Sequence, residues 1–204
     1  MSFLRPSVTF TRFKLSEAAP ADLWPSIPGR LKQFAFRDID NIPEERSWGW
    51  VNFDDILDTE WLVSGPEKAA YLTFSLRLDT RRISPAVLRI HTLKALREEE
   101  RKNKEEGKTF VSRTRKKELK ESVRARLMQR ALPVPAEFNV IWDTLQSTVI
   151  LASTHGKVIE LFCEHFTASF ELDLEQLTPY SLATHLLGEN AGVKLDALTP
   201  TAFM

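Results

Sequence analysis

The sequence has a single cysteine and no long apolar run. Cys163 cannot form a disulfide within the chain, which is typical of proteins in a reducing cytoplasm. A helix that crosses a membrane needs about 18 or more consecutive apolar residues, and the sequence contains no such run. The first residues also lack the apolar core and small-residue cleavage site of a secretory signal. We therefore expect a cytoplasmic protein that does not enter a membrane.

Motifs that bind common cofactors are missing as well. The chain has only 7 glycines, and they do not form a glycine-rich phosphate loop. Cys163, His165, His155 and His185 lack the paired spacing of zinc ligands, and we interpret Cys163 as a buried thiol. We also find no internal repeat. The sequence therefore gives no reason to expect a metal or a cofactor.

Basic residues, in contrast, are concentrated in one stretch of the chain. The 204 residues include 28 basic and 28 acidic side chains, so the formal net charge is zero. Between Arg89 and Arg130, 15 basic residues stand against seven glutamates, which gives this stretch a net charge of +8 and the remainder −8. A protein with one basic region and an acidic remainder tends to bind a polyanion through the basic region.

Hydrophobic periodicity predicts an α+β fold: an antiparallel or mixed sheet with packed helices and a protruding basic helical hairpin. Strands are predicted at residues 7–15, 48–51, 71–78, 138–145 and 148–153. Helices are predicted at residues 20–34, 85–106, 114–132 and 156–170. We divide the chain into an N-terminal α+β portion (1–83), the basic hairpin (84–132) and a strand–strand–helix portion (133–204). These portions form one continuous domain or two lobes.

Several local expectations can be tested against a structure. In the first strand, four residues are expected to face inward, with a slip of register near Thr11: Val8, Phe10, Phe13 and Leu15. The first helix is expected to break near Pro25 and Pro28 because proline removes a backbone donor. Beyond residue 177 the periodicity weakens, and the final dozen residues are expected to be loose.

The first helix of the hairpin changes character halfway along. Ser84 and Pro85 are a favoured start, and the apolar residues between Val87 and Leu96 surround most of the helix, so we expect this half to be buried. From Arg97 to Glu106 there is no apolar residue, and Glu/Lys pairs four residues apart suit a helix that projects into water. Gly107 is expected to end the helix.

The second helix of the hairpin carries the candidate DNA-binding residues. We assign this role to eight side chains: Arg113, Arg115, Lys116, Lys117, Lys120, Arg124, Arg126 and Arg130. At 100° per residue, five of them (113, 116, 117, 120 and 124) fall within an arc of about 100°, beside an apolar line formed by Leu119, Val123 and Leu127. Thr114 is the expected N-cap. The three cations that follow it oppose the helix dipole, which suggests that they serve a ligand such as phosphate.

Two functions from different classes fit this charge pattern. Aromatic residues are absent between Phe110 and Phe138, so a base-stacking platform for single strands is missing, and contact with duplex phosphates is the better match. Alternatively, the hairpin is a protein-interaction module that docks on a partner or on its own copy, and its charges are a solvated face.

A metal-dependent exonuclease is a third, weaker reading. Phosphodiester cleavage with metal ions needs two or three convergent carboxylates. Asp54, Asp55 and Asp58 cluster in the sequence, and Asp143 follows Trp142 on a predicted strand. Because these residues lack a recognisable nuclease spacing, we expect the aspartates to cap and solvate a loop, and we do not expect an enzyme.

The order of motifs resembles the bacterial recombination-associated protein RdgC family. The helix around Lys117–Val123 and the segment Leu127–Leu132 are similar to the family's "LK-x-x-V" and "L-L-P-R-A-F". Trp142-Asp143-Thr144 and the apolar run that ends in Ala152-Ser153 follow in the same order as its "W-I-D-T" strand and next strand. Upstream, Trp48-Gly49-Trp50-Val51 is similar to "M-G-W-V". The resemblance spans about residues 5–180.

The resemblance implies a nucleoid-associated protein that binds double-stranded DNA without sequence preference. It also implies a ring-shaped homodimer that restrains RecA-mediated recombination. By position, Arg130 matches the family's arginine, and Leu132 replaces a phenylalanine associated with dimer contact. Gln129 stands where the family has proline. The family also continues for roughly a hundred further residues, so we expect an open or differently built dimer here.

Overall fold

The computed structural model describes residue 3 and residues 7–42, 44–107, 110–188 and 190–199. The strands are β1 (Thr11–Leu15), β2 (Arg46–Val51), β3 (Glu67–Lys68), β4 (Tyr71–Arg81), β5 (Pro133–Asp143), β6 (Thr148–Leu151) and β7 (Leu174–Gln176). The helices are α1 (Leu23–Gln33), α2 (Pro85–Glu105), α3 (Arg113–Arg130), α4 (Gly156–Phe170), α5 (Pro179–Leu187) and α6 (Asn190–Asp196). These elements confirm the predicted α+β class.

The seven strands form one antiparallel sheet with the order β2-β4-β5-β6-β1-β7, and β3 pairs with β4. The hairpin of β5 and β6 places Trp142 opposite Val149 and Val140 opposite Leu151. Its turn is tight: Ser147 adopts a positive φ of 52°, and the Asp143 carboxylate accepts hydrogen bonds from the backbone N–H groups of Leu145 and Gln146. The strands predicted at residues 138–145 and 148–153 are therefore present, but β5 starts earlier than predicted, at Pro133, and β6 ends earlier, at Leu151.

The chain divides into two compact units, which we describe separately. The first unit comprises residues 1–36, 49–77 and 137–204. The second comprises residues 37–48 and 78–136 and contains both helices of the hairpin. The hairpin portion expected at 84–132 thus falls within the second unit, and the first unit takes segments from both sides of it.

The core of the first unit is rich in aromatic side chains. Along α4, which matches the helix predicted at 156–170, Val158, Phe162, Phe166 and Phe170 are buried at four-residue intervals. They pack against strand residues, with Trp142 5.2 Å from Phe166 between ring centroids. A helix that turns the same face inward every fourth residue buries a continuous stripe, which is the main source of its stability.

Helix α1 shows why two prolines do not end it. Leu23, Ile27 and Leu31 are buried at four-residue spacing. Pro25 lies in the first turn, where the missing N–H has no helical partner, and only Pro28 interrupts the hydrogen-bond ladder. The predicted break near these prolines is therefore wrong, because burial of the apolar stripe outweighs one lost backbone hydrogen bond.

Other local expectations need correction. β1 begins at Thr11, and although Phe13 and Leu15 are buried as predicted, Phe10 is 48% exposed and Val8 is only half-buried. Register thus favours Thr11 as the third inward residue, and its Oγ1 donates to the Ser153 carbonyl.

The region beyond residue 177 holds two short helices, α5 and α6. Of the final dozen residues, which were expected to be loose, 193–196 lie in α6, and 200–204 lie outside the described part. In α5, the Thr178 and Ser181 side chains each accept from the backbone N–H of the other, a reciprocal capping box. Among the described residues, no helix has the length and apolar character needed to cross a membrane.

Candidate nucleic-acid interface

The hairpin of the second unit is formed by α2 and α3. The end of α2 and the start of α3 both have defined caps. Gly107 follows α2 with a φ of +74°, a left-handed conformation that glycine adopts without strain. The N-cap of α3 is Ser112, whose Oγ accepts from the Arg115 N–H at 3.2 Å. Thr114, the predicted cap, lies inside the first turn. Helix α3 therefore starts one residue earlier than expected and ends at Arg130 rather than Leu132.

Arg115 ties the two helices together. Its Nε donates to Glu99 Oε1 of α2 at 2.7 Å, and its Nη1 donates to Glu118 Oε2 at 3.2 Å. The hydrogen bond to Glu99 and the one to Glu118 raise the pKa of Arg115. Because two carboxylates already occupy this guanidinium, Arg115 is a poorer phosphate ligand than the neighbouring cations. The sequence assigned it to DNA contact, but its geometry serves the hairpin.

Other cations of α3 are left exposed and without a carboxylate. Within the described part of the chain, Arg113, Lys116, Lys117 and Lys120 are exposed and take part in no ion pair. Arg124, the fifth member of the predicted arc, is paired only with Glu45, at 3.5 Å, and both side chains are more than half exposed. We call these five residues the basic row. Exposed pairs of this kind contribute about 0–1 kcal/mol, so a phosphate can compete for Arg124.

The remaining candidates lie apart from the basic row. Helical geometry places Arg126 and Arg130 on the opposite side of the Leu119–Val123–Leu127 line. Arg126 lines a groove between the two helices together with Lys94 and Lys102 of α2. Both arginines are exposed. Lys108, which contributes to the charge of this stretch, lies outside the described residues.

The inner side of α3 uses fewer apolar residues than predicted. Val123 and Met128 are buried, whereas Leu119 and Leu127 are half-buried. Met128 was not assigned a role from the sequence because it falls off the four-residue line. Most of α3 therefore faces solvent, and its charged surface is available to a ligand.

Helix α2 contradicts the sequence prediction. The half from Pro85 to Leu96 was expected to be buried, yet none of the residues of α2 is buried. Leu88, Ala95 and Leu96 are half-buried, whereas Val87, Ile90 and Leu93 are 43%, 53% and 47% exposed. One partner helix can cover only one side of α2, so apolar residues around its whole circumference cannot all be enclosed. We call the exposed set Val87, Ile90 and Leu93 the apolar stripe.

Leu132, the candidate dimer contact, lies just after α3 and is 83% exposed. Val134, two residues further along β5, is also exposed. Both side chains belong to the same unit as the apolar stripe. Their exposure leaves Leu132 accessible to a partner chain.

The acidic residues considered for a nuclease hold a loop of the first unit. Asp54 Oδ2 accepts from Lys68 Nζ at 2.6 Å and from Ser64 Oγ at 2.7 Å, and these hydrogen bonds lower the pKa of Asp54. The Asp55 carboxylate accepts from the Leu57 N–H. Asp143 caps the β5–β6 turn. Each carboxylate has a local structural partner.

Asp58 is the most buried of these carboxylates. It accepts from the backbone N–H groups of Glu60 and Val63 and from the Asn52 amide. Burial alone would raise its pKa, but these hydrogen bonds together lower it. Among the described residues, the structure brings no three His, Cys, Asp or Glu side chains into a group that could hold a metal.

His165, His185 and Cys163 each have their own local contacts. His165 Nε2 lies 3.2 Å from the Phe34 carbonyl oxygen, its ring packs 4.6 Å from Trp50, and burial lowers the pKa of His165. His185 pairs with Glu175. Cys163 is half-buried, and burial followed by the nearby Glu164 charge raises the pKa of the thiol. A raised pKa favours the unreactive thiol form.

Comparison with protein-family models and with curated proteins gave no match. The candidate residues are therefore distinguished by their exposure and their ion-pair partners in the structure. Sequence reasoning missed the Glu99–Arg115 and Glu45–Arg124 pairs, which join residues 16 and 79 positions apart. It also missed the exposed ring of Phe110. The only sequence signal for that ring was an apolar residue placed between two highly charged segments.

Proposed function

We propose that the protein binds double-stranded DNA without sequence preference through the basic row of α3. The observation that carries the proposal is the set of four exposed cations (Arg113, Lys116, Lys117 and Lys120) that have no ion-pair partner in the described part of the chain. Cations that lack carboxylate partners attract phosphate without first breaking an internal pair. Contacts with phosphates carry no sequence information, so one duplex should serve as well as another.

The size of the basic row sets the expected salt dependence. Binding to B-DNA weakens with salt at a slope of about −0.9 in log K against log salt for each phosphate neutralised. Five contacts therefore give a slope of roughly −4 or steeper. Non-specific binding of this class has dissociation constants of about 10⁻⁴ to 10⁻⁶ M at physiological salt.

The role of an RdgC-like modulator of homologous recombination, acting on RecA as a nucleoid-associated dimer in the cytoplasm, is part of the same proposal. It is supported by the order of motifs in the sequence and by the position of the basic row within them. Self-association is supported by the exposure of Leu132 and of the apolar stripe, because water-exposed apolar surface favours association.

The test is fluorescence anisotropy with two labelled duplexes of unrelated sequence at about 50 mM salt. We expect both duplexes to bind with dissociation constants in the micromolar range or below, and within about threefold of each other. Absence of binding to either duplex at micromolar protein would overturn the proposal. A strong preference for one duplex would also contradict it, since phosphate contacts cannot read sequence.

The apolar stripe of α2 favours a second candidate function, a protein-interaction module. In that case, the hairpin docks on a partner protein and its cations are a solvated face. The DNA experiment separates the two, because a pure interaction module shows no duplex binding. Incubation of end-labelled duplex with Mg²⁺ tests the exonuclease alternative, which requires metal-dependent loss of the label.

A further inference from the structure

Phe110 is a large aromatic side chain that remains in solvent. It lies between α2 and α3 and is 76% exposed. The residues that follow it towards α3 are Val111, Ser112 and Arg113, and within the described residues no aromatic ring packs against it. Covering this ring with a ligand would remove apolar surface from water, which favours binding.

The backbone that presents Phe110 is held in place. Asn103 Nδ2 of α2 donates to the Phe110 carbonyl oxygen at 3.1 Å. The next side chain, Val111, is only 7% exposed and anchors the loop, and Ser112 caps α3. The ring therefore projects from a fixed position rather than from a free loop, which lowers the entropy lost when it contacts a ligand.

Three cations of the basic row follow Phe110 within seven residues of the chain. Arg113 is three residues later, and Lys116 and Lys117 lie one helical turn beyond it, about 5–6 Å along the axis. None of these three has an ion-pair partner in the described part of the chain. An aromatic ring that precedes such cations in the chain brings to one hairpin the two features that bind exposed nucleic-acid bases: a stacking surface and a phosphate-attracting surface.

We propose that Phe110 stacks on unpaired bases, so that the hairpin prefers DNA with unpaired bases to fully paired duplex. The inference rests on the proposed DNA binding and adds the class of DNA structure. In a fully paired duplex each base face is covered by its neighbours, so the ring has no surface to stack on unless a base step opens. In an unpaired segment the faces are exposed, and stacking adds to the phosphate contacts.

The expected gain in affinity for unpaired DNA is that of one stacked ring. One base–aromatic stack strengthens binding by about fivefold to more than a hundredfold, and one exposed ring offers one such stack. The platform of several aromatic residues found in dedicated single-strand binders is absent from this stretch, so phosphate contact still supplies most of the affinity.

The test compares two labelled DNAs of the same length and ends, one fully paired and one with about five unpaired thymines at its centre. The protein should bind the second at least about fivefold more tightly. Phe110→Ala and Phe110→Leu should lose this preference and bind the paired duplex within about twofold of the unmodified protein. Phe110→Trp should keep it, because indole also stacks.

The possible outcomes separate the two proposals. If the unmodified protein binds both DNAs equally, or if Phe110→Ala keeps the preference, the inference about Phe110 is wrong while duplex binding stands. If neither DNA binds, the proposed function fails and this inference with it. If Phe110→Ala instead lowers the molar mass in light scattering, the ring contacts a second copy, which also overturns the inference.

Discussion

Gly49 occupies a position that no other residue can take without moving the backbone. A Cβ atom added there would lie 2.4 Å from the Phe36 backbone nitrogen and 2.5 Å from the Ala35 carbonyl carbon. Atoms in proteins do not approach so closely, and both neighbours are main chain rather than flexible side chain. The glycine in the motif Trp48-Gly49-Trp50-Val51 thus has a steric reason. We predict that Gly49→Ala strongly destabilises the first unit.

The magnitude follows from the contacts next to Gly49. To admit the methyl group, β2 and residues 34–36 must separate by about 1 Å. The Phe36 N–H then loses its 3.0 Å bond to the Trp50 carbonyl, and the Trp50 N–H loses its 3.0 Å bond to the Phe34 carbonyl. Two backbone hydrogen bonds contribute about 1–3 kcal/mol together, and strain around the buried Trp50 adds about 1–3 kcal/mol. We expect a total loss of about 2–6 kcal/mol.

The assay is thermal and urea unfolding monitored by circular dichroism. A loss of this size should lower the melting temperature by roughly 4–24 °C in a chain of this length, at about 2–4 °C per kcal/mol. Gly29→Ala is the matched control, because Gly29 lies inside α1 with no atom within 4 Å of the added Cβ. Alanine favours a helix over glycine by about 0.5–1 kcal/mol, so the control should be stabilised. A melting temperature for Gly49→Ala within about 1 °C of the unmodified protein would refute the steric reasoning.

Three further predictions address the acidic loop, the buried histidine and the dimer. Asp58→Asn should destabilise the protein by about 1–3 kcal/mol in urea at pH 7. Because the pKa of Asp58 is lowered by folding, its stabilisation is lost as the pH falls through that value, so the difference should shrink at pH 3; an equal difference at both pH values would contradict this. Burial lowers the pKa of His165, so stability should fall as the pH drops below about 6.5, where the unfolded histidine takes up a proton. His165→Phe should flatten that decline in melting temperature between pH 7 and 5, and an unchanged slope would assign the decline to other groups. Finally, Leu132→Glu should shift the molar mass in light scattering from dimer towards monomer, whereas Leu132→Met should not; equal masses would remove Leu132 from the interface.

The elements that the sequence predicted well are those whose apolar residues recur at regular spacing. In α4, Phe162, Phe166 and Phe170 recur at the spacing of one helix face, and the sheet buries that face. Strand β4 has a similarly dense apolar pattern and extends the predicted strand to Arg81. Local pattern and tertiary burial agree in these elements, so the pattern alone was sufficient.

The predictions that were wrong concern elements whose formation or burial depends on distant parts of the chain. Pro25 and Pro28 argue against α1, but burial of Leu23, Ile27 and Leu31 maintains it. In α2 the converse holds, since its apolar residues suggest burial but the apolar stripe stays exposed in the described structure. Short helices such as α5 have too few residues for a clear period.

The candidate site shows the same division. The angular arrangement of the basic row could be predicted from residue spacing, because helix geometry alone determines it. Which of the eight candidate cations of α3 are paired with carboxylates could not be predicted. Arg115 meets Glu99 only because the chain reverses between α2 and α3, and Arg124 meets Glu45 from a remote segment.

The salt dependence of duplex binding by charge-matched variants tests the central claim most directly. One variant removes three cations of the basic row (Lys116→Ala, Lys117→Ala and Lys120→Ala), and the other removes three exposed cations of α2 (Arg97→Ala, Lys102→Ala and Lys104→Ala). Both lose the same charge from the same hairpin. We predict that the first flattens the slope of log K against log salt by about 2.7, from roughly −4 or steeper, and that the second changes it by less than about 1. Equal changes in the two variants would contradict the claim that DNA is bound by the basic row of α3.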